Sequence, residues 1–269
     1  MEEKRKPEMS ELHRKAIDEL VLLHGDDPSK LALVICGSLA IGTARADSDV
    51  DLYLIVSEPE FERVRAEEGC WYGSWDPTKF SGAEIDGKIV GKEFLREAVV
   101  RASEPTRASF EGAYTEFSHD PEIDELIGRI AVYPESEREV KIKAFYGQVK
   151  HHRYVGEQGF LLGNDYFARR CVTELVFFAA RLVLAHNRIL FPCHKSLFAA
   201  LEKCEDVPPG FMISSQELIR NMSLAAAIDY YERVTDYFSE YDYPEQGRIS
   251  QILENEWSWF SGTPSLGDW

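Results

Sequence analysis

The segment from Ile35 to Leu52, ICGSLAIGTARADSDVDL, constrains this chain more than any other stretch of its 269 residues. A Gly-Ser pair follows an apolar run, ten residues intervene, and Asp49 and Asp51 then open a second apolar run. Leu31 to Cys36 is a short apolar segment between a Pro-containing turn and a glycine, which suits a strand buried on both faces. Gly37 permits a sharp exit from it. Gly37-Ser38 then leads into a short helix over Leu39 to Thr43, whose first backbone N–H groups lack intrahelical partners and are available to phosphate. The Ser38 hydroxyl is a further donor.

The run Asp49 to Val56 reads as a second strand, and side chains alternate between its faces, so Asp49 and Asp51 share one side. Two carboxylates about 6.6 Å apart along a strand can converge on divalent cations whose remaining positions are taken by phosphate oxygens. Asp47 falls off that alternation and belongs to the loop. A Gly-Ser alone, or an Asp-x-Asp alone, arises in any surface turn or calcium loop. Here Leu52, Leu54 and Val56 continue a packed strand directly from the acidic pair, and carboxylates on a packed strand require partners or metal.

This stretch resembles the nucleotidyltransferase superfamily that includes DNA polymerase β and the antibiotic nucleotidyltransferases, with Gly37, Ser38, Asp49 and Asp51 matching its signature. The resemblance implies an α+β catalytic domain with a small mixed sheet, Mg2+ or Mn2+ held at Asp49 and Asp51, and a nucleoside triphosphate substrate. It also implies a third carboxylate from a later strand, in an apolar-Asp-apolar setting, and there the sequence departs. Lys79 to Phe94 reads as a hairpin with Asp86-Gly87 at its turn, since Asp-Gly between strand-like runs suits a two-residue loop. On the outgoing strand, Lys88 to Phe94, the position expected to be Asp is Gly91. Glu93 lies two residues on, on the same face, and is the leading candidate for the third catalytic carboxylate. Asp86 and Glu84 are the fallback candidates, and the absence of any third ligand would leave a slow enzyme or a nucleotide-binding relic. Arg45 and Ser48, in the loop before the acidic pair, are placed either to touch phosphate or to brace that loop.

Composition sets outer limits. With 44% hydrophobic and 12% aromatic residues the chain can bury one large core or two modest ones, and two domains are expected. No apolar stretch reaches the roughly 18 residues needed to span a bilayer, and the first ten residues are charged rather than signal-like, which predicts a cytoplasmic protein with no membrane partner. The cysteines, five in number, are scattered and never in Cys-x-x-Cys, so neither zinc nor a disulfide framework is indicated. The pair His151-His152 beside Lys150 and Arg153 reads as a solvated helix face rather than a metal site. Forty-seven acidic against thirty basic residues give a formal charge of −17, which disfavours long nucleic acid and favours a small acceptor. A cationic acceptor such as an aminoglycoside would be drawn to an acidic cleft.

Along the chain, Ser10 is a candidate N-cap for a helix ending near Gly25, with Leu12, Ala16, Leu20 and Leu23 along one stripe. Pro59 to Glu68 suits a short helix. Gly69 to Ser81 reads as an aromatic loop containing Trp71, Tyr72 and Trp75, able to cover a nucleotide or to plug a gap between domains. Strand signals vanish from Arg96 onward. Helices are expected over Pro121 to Ile130, from Pro134 past His152, over Asp165 to about His186, over Ser196 to Lys203, and over Ser214 to Phe238. The nearly all-apolar core Cys171 to Leu184 predicts the central helix of a bundle. The expected organisation is a nucleotidyltransferase domain over residues 1–130 and a helical bundle domain over 131–269, as a monomer or homodimer, which looks like the architecture of antibiotic nucleotidyltransferases.

In the second half, Glu174 is either a general base with a raised pKa or a carboxylate neutralised by Arg169, Arg170 or Arg181. Lys195 either reaches nucleotide phosphate or sits at a helix start on the surface. Arg181-Leu-Val-Leu-Ala-His186 resembles the Arg-x4-His pattern of HEPN helical domains, some of which are metal-independent ribonucleases; Arg181 and His186 would then hold and cleave a phosphodiester. The main expectation is transfer of a nucleoside monophosphate from a nucleoside triphosphate, with ATP as the donor, to a hydroxyl of a small-molecule acceptor. The alternatives are the HEPN-like ribonuclease and a catalytically weak nucleotide sensor.

Overall fold

The structure, a computed structural model, describes residues 7–245 together with 249, 253, 257, 260 and 262. The chain divides into two compact units, Met1–Val132 and Tyr133–Trp269.

The first unit runs α1 (Glu11–His24), β1 (Lys30–Ile35), α2 (Gly37–Ala40), β2 (Val50–Val56), α3 (Glu58–Glu67), β3 (Trp71–Ser74), β4 (Ile85–Gly91), α4 (Lys92–Arg101), α5 (Glu104–Ser109), β5 (Tyr114–Ser118) and α6 (Pro121–Ile130). The strands form one mixed five-stranded sheet in the order β3-β4-β2-β1-β5. β1 pairs antiparallel with β2 and β5, β3 pairs antiparallel with β4, and β2 pairs parallel with β4. Alternation along the strands loads both faces of the sheet. Leu33, Ile35, Leu52, Leu54 and Ile85 pack with Ala16, Ile17 and Leu20 of α1 on one side. Val34, Cys36, Tyr53, Ile55 and Val90 pack with Leu95, Phe110 and Ile123 on the other.

Ser10 caps α1, its hydroxyl accepting from the His13 N–H, as a Ser at that position should. The buried stripe of α1 is His13, Ala16, Ile17 and Leu20, while Leu23 is 61% exposed, so the helix is rotated from the expected Leu12–Leu23 line. His13 is the reason: its ring is buried and bonded at both nitrogens. Arg107, also buried, donates to the carbonyls of Val99, Ala102 and Ile130 and so ties the end of α4 to the end of α6.

Two strands depart from expectation. Trp71–Ser74 is a strand inside the aromatic segment, and Tyr114–Ser118 is an edge strand beyond Arg96. The expected hairpin around Asp86-Gly87 does not form. Both residues lie within the continuous strand β4, where Gly87 is the register partner of Leu52 and a Cβ on it would meet the Leu52 side chain at 2.6 Å.

The second unit is helical: α7 (Glu135–Leu161), α8 (Asp165–His186), α9 (Leu197–Leu201), α10 (Phe211–Arg220) and α11 (Leu224–Tyr237). The apolar run of α8 is largely buried, with Leu182, Val183 and Leu184 wholly inaccessible. It packs with Ile142, Tyr146 and Val149 of α7, and with Leu218, Tyr230 and Val234 of α10 and α11, into one core. The segment expected as a single helix over Ser214 to Phe238 is two, because Ser223 takes extended backbone and its hydroxyl caps α11 by accepting from the Ala226 N–H. The tail from Trp257 to Trp269 lies largely outside the described residues. Among the described residues, no helix is long and apolar enough to cross a membrane.

Candidate active site

The site is built where β1 ends and where β2 and β4 begin. Gly37 leaves β1 with φ +62°, in the left-handed region that favours glycine. A Cβ there would lie 2.0 Å from Asp51 Oδ2 and 2.7 Å from Cγ, so the missing side chain is the space the carboxylate occupies. The Cys36 N–H donates to the Asp51 carbonyl at 3.0 Å and sets the height of the bend against β2. Ser38 is half-buried in the first turn of α2, and its carbonyl accepts from the Thr43 N–H at 3.0 Å.

Asp49, Asp51 and Asp86 each offer a carboxylate oxygen, and the three oxygens all lie within 4.8 Å of one another. The register explains the convergence. β2 and β4 are parallel with Asp51 opposite Asp86, and paired residues of parallel strands point to the same face. Asp49 precedes the first residue of β2, two positions from Asp51. These are the residues able to hold a divalent cation. A set of hard carboxylate oxygens is the donor chemistry that hard divalent cations take.

Glu93 does not join them. It lies in the first turn of α4, with its N–H donating to Glu58 Oε1 at 2.8 Å and its exposed carboxylate 3.3 Å from Arg96. Gly91, the position expected to carry the third acid, pairs with Val56 at the far end of β4, five residues or about 16 Å from Asp86. Glu84 is exposed just before β4 and lies outside the cluster.

The loop before Asp49 is braced from within. Ser48 Oγ accepts from the Arg45 N–H at 2.9 Å, and Arg45 Nε donates to Asp47 at 3.0 Å from an 80% exposed side chain. The Ser48 carbonyl accepts from His13 Nε2 at 2.8 Å, which fixes that nitrogen as N–H-bearing, while Nδ1 meets Ser10 Oγ at 2.8 Å. A buried helix side chain thus holds the residue next to Asp49. Sequence reading misses this, because a lone histidine in a helix carries no motif.

Lys88 also escapes sequence reading. It lies two residues beyond Asp86, on the same face of β4, with its ammonium 5.1 Å from the centre of the Tyr53 ring. Burial, and then the Asp51 charge, push the Cys36 thiol up, while Lys88 acts against the shift. Burial likewise raises Tyr53, opposed by its hydrogen bond to Ser109 and by Lys88.

The residues singled out in the second unit are placed as follows. Lys195 is exposed in the short turn His194–Ser196. Glu174 stands 3.9 Å from Arg170. Arg181 lies over Phe145 and Phe191, at 4.5 and 4.4 Å from their ring centres. His186 instead bonds Tyr241 through Nδ1 at 2.7 Å and Asp206 through Nε2 at 2.8 Å. Five residues along a helix is about 140° of rotation, and the two side chains have separate surroundings rather than one shared anion site.

A mixed five-stranded sheet flanked by helices, with a glycine bend set against clustered aspartates, makes the first unit an α+β domain with a candidate cation site. Residues 13–114 match the family model described as the nucleotidyltransferase domain, so the first unit carries a polymerase β-like nucleotidyltransferase domain. A solved structure described as a nucleotidyltransferase-like protein from Exiguobacterium sibiricum 255-15 is similar in fold. It is 14% identical, covers 88% of this chain and 86% of its own, and has a TM-score of 0.50. No curated protein matches the chain. The domain match supports nucleotidyl transfer as the general chemistry and a nucleotide as substrate.

Proposed function

We propose that this protein transfers a nucleoside monophosphate, with ATP as donor, to a hydroxyl of a small acceptor in a reaction that depends on Mg2+ or Mn2+. The observation that carries the reading is the cluster of Asp49, Asp51 and Asp86 oxygens within 4.8 Å, set against the Gly37 bend. In this reading the backbone at Gly37-Ser38 and the Ser38 hydroxyl hold the β- and γ-phosphates. Arg45 and Lys88 are the nearby cations that would approach the phosphate chain once the Arg45–Asp47 pair opens.

Asp49, Asp51 and Asp86 would hold the cation, which when bound supplies positive charge to the phosphate oxygens. The acceptor oxygen forms a bond to the α-phosphorus, the bond from that phosphorus to the bridging oxygen breaks, and pyrophosphate leaves. The acceptor's proton passes to the Asp86 carboxylate and from there to water. An aminoglycoside-like antibiotic is one acceptor that the acidity of the chain favours.

The sensor reading depends on a missing third carboxylate, and Asp86 removes that support. For the ribonuclease reading, the positions of Arg181 over Phe191 and of His186 on Asp206 supply no observation that favours it. The test is pyrophosphate release from ATP, GTP, CTP and UTP with Mg2+, against aminoglycosides, lincosamides and cellular metabolites. Asp49→Ala and Asp51→Ala should each abolish turnover while the fold, read by circular dichroism, is kept. Turnover that persists in both variants removes the assignment.

A further inference from the structure

Across four strands the site forms one row. Gly37 abuts Asp51, Asp51 is the register partner of Asp86, and Asp86 is the register partner of Gly73 on the edge strand β3. The indole of Trp71 closes the row. A Cβ on Gly73 would lie 2.2 Å from that ring, so the glycine is what lets the indole lie close to the strand. Trp71 Nε1–H donates to Asp86 Oδ1 at 2.9 Å, directly onto the acidic cluster. The ring also stacks on Trp75, with centroids 4.8 Å apart and 26° between planes.

Although held in three ways, Trp71 is 51% exposed and Trp75 64% exposed. Rings serving as a plug would be buried. A paired, solvent-facing aromatic surface that is already fixed in place loses little side-chain freedom when a flat ligand settles on it.

The row also indicates which ligand. With the triphosphate tail at the Gly37-Ser38 end, pyrophosphate departs toward β1. In-line displacement then requires the attacking oxygen to arrive from the opposite end, where Asp86 and Trp71 stand. We propose that Trp71 and Trp75 form the acceptor subsite and that the acceptor carries a polyhydroxylated, sugar-like ring. Its apolar C–H face lies on the indoles and its hydroxyl edge donates to Asp86, which matches a ring that is apolar on its faces and polar at its rim. This inference rests on the transferase reading above.

The test uses the full chain, 15N-labelled at tryptophan and saturated with Mg2+ and α,β-methylene-ATP. It is titrated with methyl α-D-glucopyranoside and, separately, with glucosamine. The indole resonances of Trp71 and Trp75, assigned with Trp71→Phe and Trp75→Phe, should move saturably with at least one sugar. Trp75→Ala should weaken that sugar's binding about tenfold, the size expected for one lost stacking contact. The affinity for α,β-methylene-ATP, read by calorimetry, should stay unchanged in the same variant, and its thermal melt should match the wild type. Indoles that respond to neither sugar overturn the proposal. A loss of α,β-methylene-ATP affinity in Trp75→Ala also overturns it, assigning the platform to the nucleobase. If the wild-type chain binds no α,β-methylene-ATP with Mg2+, the transferase reading fails instead, and the sugar titration without nucleotide still decides the platform.

Discussion

Gly37→Ala is the substitution that most directly interrogates the geometry of the bend. Two separate penalties apply. The first is conformational, since alanine at φ +62° costs about 1 kcal/mol relative to glycine. The second is steric: the new methyl would sit 2.0 Å from Asp51 Oδ2, so either the bend or the carboxylate must move. Forced overpacking of this kind costs about 1–3 kcal/mol. Gly69 separates the two, because it has φ +82° and a methyl added there would meet nothing within 4 Å. Gly69→Ala should therefore lose about 1 kcal/mol in urea unfolding, and Gly37→Ala about 2–4 kcal/mol. Mn2+ binding, followed by electron paramagnetic resonance, should be weakened at least about tenfold in Gly37→Ala, the equivalent of about 1.4 kcal/mol at the displaced ligand, and unchanged in Gly69→Ala. Equal stability losses in the two variants, with Mn2+ affinity intact in both, would refute the claim that this glycine makes room for the aspartate.

Asp86→Ala should reduce Mg2+-dependent pyrophosphate release by at least about a hundredfold, within the range for a group taking the reaction's proton, whereas Glu93→Ala should leave it near wild type. The reverse ranking would restore Glu93 to the site. A pH dependence follows from His152, whose ring stacks on Phe178 at 5.5 Å and whose pKa is lowered to about 4, by burial first and then by the charges of His151 and Arg170. The unfolded chain takes up a proton near pH 6.5 that the folded chain refuses until about 4. Stability is therefore fully present above about pH 6.5 and is lost as pH falls toward 4, by up to about 3 kcal/mol. His152→Phe should flatten that part of the stability profile, and identical slopes for the two proteins would contradict the assignment.

What is legible in the sequence is local. The bend and the first two aspartates belong to one antiparallel pair of strands, so Gly37, Ser38, Asp49 and Asp51 fall within a single readable segment. α8 reads with its observed bounds, because a mostly apolar stretch from Cys171 to Leu184 lies within it and Asn164 caps its start, accepting from the Phe167 N–H. Asp86 is misread because Asp-Gly favours a tight turn when judged alone. Parallel pairing with β2, and the packing of Gly87 against Leu52, override that local preference, and neither is visible in a window of a dozen residues. One signal is available: Ile85-Asp86 repeats the apolar-Asp step of Val50-Asp51. β5 escapes notice because it is a short edge strand with polar alternation, and its Glu116 is paired with Arg14 at 2.8 Å from another element.

The parallel pairing of β2 with β4 has a consequence for how the protein matures. Antiparallel neighbours can zip together from a tight connection, but Asp86 reaches Asp51 only after α3 and β3 have been laid down between them. A nascent chain released only as far as β2 would own the glycine bend and two acidic groups and still lack a complete cation cage. Acquisition of metal should accordingly lag behind early collapse during refolding and coincide with the docking of the fourth strand, making the ion a reporter of that one step.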